Sequence, residues 1–370
     1  MKLRFWSWGI DTSGYGAVTA AGMVALAAGL GSGTSAAQGT GAACVSLVEA
    51  AARLRCYDLA HGRVDKPAPG PLPQTELSAT PLAATTPATT PATTPATTPA
   101  TRDLLSKRWD LDGHRGALFS PRAYRPVYLL PATWTNAVNR LPSSPAPEHT
   151  VTQPLELRNI EAKYQLSLKS KFGHSLLGTG ASLWGGYTQS SRWQVYEGAD
   201  SRPFRETNYE PELMLVWPLQ TSVLGWQMEM ASLSLNHQSN GRSLPLSRSW
   251  NRIVGTLALQ RGEWVMELRP WLRIREGLSE DDNPDIEDHI GRGELVLGRY
   301  WGDHAATLQL RHSLRGGARS RGSAQLDWVF PLSGALHGYL QVFSGSGESL
   351  IDYNQKQTKL GLGVTIAGWR

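Results

Sequence analysis

The feature that most constrains the fold is a series of amphipathic runs in the C-terminal part of the chain. From about residue 118 onward, runs of roughly ten to fifteen residues alternate apolar with polar side chains, and Gly, Pro, Asn or Asp turns separate them. Such segments are typical of a transmembrane β-barrel, whereas soluble β-sandwich strands usually have about five or six residues. The sequence therefore predicts an all-β fold, a 12-stranded antiparallel transmembrane β-barrel. The twelve runs are 125–134, 156–172, 179–194, 205–217, 225–239, 247–261, 263–276, 290–301, 304–314, 318–331, 335–348 and 355–369.

Composition supports a membrane barrel and argues against nucleic-acid binding. The formal charge of +5 is small for 370 residues, and no stripe of Lys and Arg runs among aromatic residues, so no nucleic-acid partner is expected. Tryptophan, at 14 residues, exceeds both Tyr at 11 and Phe at 6. Trp is enriched where a protein meets the membrane–water interface, and the surplus is consistent with that position.

The N-terminus predicts export from the cytoplasm. Residues 1–38 read as a signal peptide: Lys2 and Arg4 are basic, 16–31 is a short apolar core, and 32–38 ends in small residues suited to cleavage. That core is too short for a stable transmembrane helix. After export the protein is either soluble outside the cytoplasm or spans a membrane as a barrel, and the alternating runs favour the barrel. The cleavage point stays open.

Two segments separate the signal peptide from the barrel domain, residues 106–370. Residues 39–65 form a small, helical-looking segment that contains the only cysteines, Cys44 and Cys56. An oxidising compartment favours a disulfide between them, with two free thiols as the alternative. Residues 66–105 are a Pro/Ala/Thr-rich linker with a PATT repeat, which cannot bury a core and favours extended conformations.

One hairpin, at residues 235–252, carries polar side chains where lipid-facing apolar ones are expected. Side chains at i and i+2 of a strand point the same way, so His237 and Ser239 share a face with Leu235. On the following strand, Asn251 shares a face with Ile253. If the apolar face meets lipid, these polar residues lie on the outside of the barrel, near the membrane interface.

A serine, a histidine and an asparagine in this arrangement can form a hydrolytic triad. A serine needs a base to become a nucleophile, and the base needs a third group to hold its tautomer. A neutral amide is tolerated near lipid more readily than a carboxylate. Polar residues are also common at strand ends, so spacing alone leaves an inert polar hairpin as the alternative.

Several motifs, in order along the chain, identify a family. The segments NHQSNGRS (236–243) and SRSWNR (247–252) resemble the active-site hairpin of the outer-membrane phospholipase A family. The resemblance covers roughly residues 118–370 and implies a twelve-stranded barrel. It continues through YTQ (187–189), PFRETNYEPEL (203–213), DDNPDI (281–286) and GESLIDYN (347–354).

The resemblance implies a role for each residue of the hairpin. Ser239 would be the nucleophile that attacks a phospholipid ester carbonyl, and His237 the general base and then the acid. Asn251 would orient His237. The backbone amide of Gly241 would help to stabilise the oxyanion.

The resemblance also implies calcium as cofactor. The ion would be held by backbone oxygens and hydroxyls matching Arg242, Ser247 and Ser201, the last from the partner of a homodimer. Few carboxylates contribute, which places calcium affinity toward the weak end. An aspartate common in the family is replaced here by Leu244. Asp282 is a further candidate ligand, although Asp-Asn-Pro also suits a plain turn.

The expected function is that of a calcium-dependent phospholipase A1/A2, with lysophospholipase activity, in the bacterial outer membrane and activated by dimerisation. The family uses a glutamine at the position of Gln189 as a hydrogen bond between the two copies. The alternatives are a non-catalytic barrel and a different barrel lipid hydrolase, such as a lipid A deacylase. The choice between sn-1 and sn-2 esters stays open.

Overall fold

The computed structural model describes residues 44, 49, 52, 56, 104–112, 117–198, 203–277 and 279–367. The chain divides into two units, Met1–Thr90 and Pro91–Arg370. In the first unit a disulfide joins Cys44 to Cys56, which confirms the predicted pairing. The predicted signal peptide, most of the 39–65 segment and nearly all of the linker lie outside the described residues and stay predictions.

The second unit consists of twelve long strands and a few short elements. A two-residue strand, β1 (Arg122–Ala123), precedes them, and the helices are α1 (Leu104–Trp109) and α2 (Ile286–His289). No described helix has the length and apolar character needed to cross a membrane. The long strands are β2 (Val127–Thr135), β3 (Ile160–Gly173), β4 (Ser182–Trp193), β5 (Phe204–Val223), β6 (Trp226–Ser239), β7 (Ser249–Arg261), β8 (Trp264–Ile274), β9 (Gly293–Trp301), β10 (His304–His312), β11 (Gly322–Ser333), β12 (Leu336–Ser346) and β13 (Lys356–Ala367).

The twelve long strands close into a barrel, as the sequence predicted. Each pairs antiparallel with the next along the chain, and β13 pairs with β2, for example at Leu362 and Ala132. All twelve predicted runs coincide with a strand, but β5 is longer than predicted and reaches Val223. Leu224 and Gly225, both with positive φ, form a two-residue turn that lets pairing continue to the end of the hairpin.

The two ends of the barrel differ in the length of their connections. Four connections at one end, the short-turn end, have only two residues each: 224–225, 262–263, 302–303 and 334–335. The other end, the long-loop end, carries the loops 136–159, 194–203, 240–248, 275–292, 313–321 and 347–355. Short turns at one end and longer loops at the other are typical of transmembrane β-barrels.

Apolar side chains cover the outside of the barrel, and charged ones fill part of its interior. Leu166, Leu235 and Leu362 on three strands are each about half exposed, at 52%, 55% and 56%. Inside, near the long-loop end, buried carboxylates pair with buried cations. Glu161 pairs with Arg205 and Lys359, and Glu348 pairs with Lys163, Arg192 and Lys359. This distribution is the inverse of a soluble protein and fits a barrel in lipid.

Helix α1 packs inside the barrel near the short-turn end. Leu105 and Trp109 are buried, and the Trp109 ring meets the Trp184 ring edge-on with centroids 5.5 Å apart. The Lys169 ammonium lies 3.0 Å from the centroid of the Trp109 ring. The sequence did not predict this helix. The helix has few apolar residues, and it is stabilised by their packing inside the barrel rather than by helix propensity.

Candidate active site

The strand register places the predicted catalytic residues together on the outer face. In the β6–β7 pair, His237 lies opposite Asn251, and Ser239 lies opposite Ser249. His237 is exposed, as are Leu233 and Leu235 on the same face of β6. The alternation of the strand therefore carries the polar residues onto the outside of the barrel, at its long-loop end.

A hydrogen bond joins the histidine to the asparagine. His237 Nδ1 lies 2.8 Å from Asn251 Oδ1. An amide oxygen only accepts hydrogen bonds, so the proton of the neutral imidazole sits on Nδ1. Nε2 is then free to accept a proton from another group, which is the tautomer that a general base needs.

The third predicted residue, Ser239, is half-buried and follows His237 by two positions on the same face. Its strand neighbours are Tyr209 on β5 and Ser249 on β7. In the described part of the chain no hydrogen bond joins the Ser239 hydroxyl to His237. Such bonds are often long in free enzymes and shorten when substrate binds, so a role as nucleophile stays compatible with the geometry.

The far end of the Asn251 amide contacts a residue that the sequence did not single out. Asn251 Nδ2 donates to Glu276 Oε1 at 2.6 Å. Ile274, the last residue of β8, pairs with Asn251, and Glu276 follows Ile274 by two residues in the next loop. Burial raises the pKa of the Glu276 carboxyl above its ordinary value, and the hydrogen bond from Asn251 opposes that rise. A prediction of the register between β7 and β8 would have placed the end of β8, and so the region of Glu276, beside Asn251.

The turn after β6 positions the predicted oxyanion residue. Gly241 has a left-handed backbone with φ of +60°. A Cβ at this position would lie 3.3 Å from Cε2 of Tyr209. Glycine is the residue that adopts this conformation without steric cost. The next amide, that of Arg242, donates to Asn240 Oδ1 at 3.2 Å.

Two of the predicted calcium ligands meet at the base of this turn. Ser247 Oγ donates to Asp282 Oδ2 at 2.8 Å, and Ser249 Oγ reaches the same oxygen at 3.2 Å. The other carboxylate oxygen, Oδ1, lies 3.0 Å from His149 Nε2. Hydroxyl and carboxylate oxygens are the donors that calcium prefers, so the set fits a calcium ion.

The remaining predicted ligands are not part of this contact. Arg242 is exposed within the 240–248 turn, and Ser201 lies outside the described residues. Among the residues that the structure describes, no group of three or more His, Cys, Asp or Glu side chains could hold a metal. A calcium ion here would therefore depend on hydroxyl and main-chain oxygens together with the Asp282 carboxylate.

Gln189 lies on the outer face of the barrel, on β4. It pairs with Leu166, whose side chain is among the exposed apolar ones. Its Oε1 accepts a hydrogen bond from Tyr187 Oη at 3.1 Å. The amide is therefore partly satisfied within one chain, and its NH₂ group is oriented by Tyr187.

A charged cavity inside the barrel does not coincide with these residues. It has a volume of about 120 Å³ and lies inside the barrel, lined among others by Arg125, Glu210, Arg252 and Glu294. A cavity with so many charged side chains does not suit an acyl chain. A lipid substrate would instead meet His237 and Ser239 from outside the barrel.

Comparison with known proteins identifies relatives of the same architecture. The family model described as Phospholipase A1 matches residues 105–366. A phospholipase A1 of Klebsiella pneumoniae is 38% identical over 243 residues, which are 66% of this chain and 81% of that protein.

Two solved structures share the fold. Outer membrane phospholipase A from Escherichia coli superposes with a TM-score of 0.61 at 36% identity and covers 70% of this chain and 96% of its own. The Salmonella typhi outer membrane phospholipase, a dimer with bound calcium, gives the same TM-score and coverage at 35% identity.

Proposed function

Because the chain belongs to the phospholipase A1 family of outer-membrane barrels, we propose that it hydrolyses the acyl esters of phospholipids in a calcium-dependent reaction. It is a multi-pass β-barrel of the bacterial outer membrane. The proposed activity includes release of both acyl chains, as phospholipase A1/A2, and hydrolysis of the resulting lysophospholipid. The observation that carries the proposal is the outward-facing hydrogen bond between His237 and Asn251.

Three side chains have separate roles in the proposed acyl transfer. Ser239 Oγ attacks the ester carbonyl while His237 Nε2 accepts its proton, and His237 then returns the proton to the leaving lysolipid. Asn251 holds the imidazole with its proton on Nδ1, through the bond of 2.8 Å. Water completes the cycle by hydrolysing the acyl-serine ester with His237 as base again.

The oxyanion of the tetrahedral intermediate needs donors that are fixed before the reaction. The Gly241 amide is the proposed donor, because the turn that contains it directly follows Ser239 and has a fixed left-handed backbone. When bound, a calcium ion supplies additional positive charge for the same oxygen. Ser247, Asp282 and the carbonyl of Arg242 are the proposed holders of that ion.

A second copy of the chain completes the proposed site. The Salmonella typhi relative is a dimer with bound calcium, and Ser201 of a second copy is the proposed additional calcium ligand. Gln189, on the outer face of β4, is the proposed hydrogen bond between the copies. An amide near hydrocarbon gains from such a partner. A single copy would then be inactive until two copies meet in the membrane.

The experiment is hydrolysis of a phospholipid by the refolded protein in detergent, with calcium or with a chelator. The expected result is activity that requires calcium and is lost in Ser239→Ala. Ser344→Ala is the matched control, because Ser344 is also a strand serine but lies on β12, away from the site. Calcium-independent activity that still needs Ser239 would overturn the metal assignment only. An inactive, folded wild-type dimer would favour the non-catalytic barrel instead.

A further inference from the structure

We propose that Glu276 is a positioning residue that fixes the Asn251 amide in the orientation His237 needs. The inference rests on the proposed function, since it concerns how the same triad is held. Among the described residues no hydrogen bond joins Glu276 to Ser239 or His237, and Glu276 acts through Asn251.

The two ends of the Asn251 amide have different partners. Oδ1 faces His237 Nδ1 at 2.8 Å, and Nδ2 donates to Glu276 Oε1 at 2.6 Å. An ionised carboxylate can only accept hydrogen bonds. If the amide were turned over, its oxygen would face the Glu276 carboxylate, and two acceptors would oppose each other. Glu276 thus excludes the turned amide.

The orientation of the amide decides which imidazole nitrogen carries the proton. A turned amide would present its NH₂ group to His237 Nδ1, which would have to accept. The imidazole proton would then lie on Nε2, the atom that must take the proton from Ser239. In a hydrolytic triad the wrong tautomer leaves the geometry intact but removes most of the base catalysis.

The position of Glu276 explains how a carboxylate can serve a site on the lipid-facing side. Glu276 lies two residues beyond the end of β8, in the 275–292 loop, and is half-buried. The charges around it are Arg273 on β8 and Asp281 and Asp282 in the loop. The carboxylate therefore lies outside the membrane-spanning strands. It fixes the neutral Asn251 amide, and that amide in turn bonds to His237. In the described part of the chain the Glu276 side chain has a single hydrogen-bond partner, Asn251.

The first test is Glu276→Gln, assayed on phospholipid micelles with saturating calcium. A glutamine side chain both donates and accepts, so either orientation of Asn251 is satisfied. We expect kcat to fall about tenfold while KM stays within about twofold, because base catalysis, and not substrate binding, depends on the tautomer. Glu280→Gln is the matched control, since Glu280 is an exposed carboxylate of the same loop, and its kcat should not change.

The second test exchanges the amide of Asn251 and the carboxylate of Glu276. Asn251→Asp alone places two carboxylates against each other, and we expect a larger loss of kcat than in Glu276→Gln. In the double variant Asn251→Asp/Glu276→Gln, the new carboxylate accepts from His237 Nδ1 and the new amide donates to that carboxylate. We therefore expect the double variant to recover at least about tenfold in kcat over Asn251→Asp, a coupling that distant residues would not show.

Each outcome separates the inference from the function beneath it. If Glu276→Gln and Glu276→Ala both keep the wild-type kcat while Ser239→Ala is inactive, the positioning role is overturned and the hydrolase remains. A double variant no better than Asn251→Asp, with native circular dichroism, would also overturn it. Activity that survives Ser239→Ala would instead overturn the proposed function itself.

Discussion

Asn240, a single buried side chain, organises the turn from which the proposed oxyanion donor comes. Its Oδ1 accepts from the amides of Arg242 and Arg248 at 3.2 and 3.0 Å, and its Nδ2 donates to the carbonyl of Leu246 at 2.8 Å. The carboxamide thus replaces a set of main-chain hydrogen bonds across the turn. Gly241 is held in a left-handed conformation immediately beside this side chain.

For the single residue Gly241, we expect the substitution Gly241→Ala to lower the catalytic rate more than it lowers the stability of the barrel. An alanine at φ of +60° costs about 1–2 kcal/mol, and its Cβ would press on the Tyr209 ring, so the amide shifts. We expect kcat to fall at least about tenfold, because oxyanion donors contribute strongly to the rate. Gly262→Ala is the matched control, with φ of +57° and open space around its Cβ. Equal kcat values for the two variants, at equal loss of unfolding free energy, would contradict the assignment.

Among the elements, the strands could be predicted and the short helix and loops could not. Alternation with period two identifies a strand such as β6 and the face on which His237 lies, because the outer surface of the barrel is apolar and its interior is polar. The helix α1 depends on contacts with residues far along the chain, such as Trp184, which no local pattern reveals. His149 was missed for the same reason, since its partner Asp282 is 133 residues away along the chain. Glu276 was missed because the register between β7 and β8 was not predicted.

For the helix element we expect Trp109→Ala to destabilise the barrel. Trp109 is buried, packs on Trp184 and covers the Lys169 ammonium. Its truncation leaves a cavity and an uncovered cation, and we expect a loss of about 3–5 kcal/mol in unfolding free energy. The measurement is urea unfolding in lipid vesicles. Trp264→Ala, with a ring 40% exposed on the outer face, should lose much less; similar losses would show that α1 does not stabilise the barrel.

For the whole molecule, the outer face of β4 is the surface that a second copy is proposed to meet. Gln189 lies there beside Tyr187, whose hydroxyl occupies the amide oxygen and leaves the NH₂ group to donate. On the neighbouring strand β3, the exposed Leu166 and Leu168 lie opposite Gln189 and Tyr187. Because lipid tails are as apolar as leucine, the polar contact, and not apolar burial, should supply the specificity of association.

We therefore expect Gln189→Ala to weaken association without changing the chemistry of the associated form. A hydrogen bond of this kind contributes about 1 kcal/mol, which corresponds to a roughly fivefold weaker dimer. Sedimentation equilibrium in detergent with calcium measures the change. Activity should fall at low protein-to-detergent ratio and recover at high ratio, whereas Ser344→Ala should behave as wild type. A dimer of unchanged strength would remove Gln189 from the interface.

The order of the strands has a consequence for how the protein is assembled. The proposed catalytic side chains and their positioning residue all come from 237–276, on β6, on β7 and just beyond the end of β8. Closure of the barrel instead joins β2 to β13, which lie at opposite ends of the domain sequence. Contacts between near neighbours in sequence form before distant ones. The chemical groups can thus be in place while the barrel is still open. Folding of the hairpins therefore does not by itself prevent premature hydrolysis. The activity is instead controlled by the proposed dimerisation of two closed barrels.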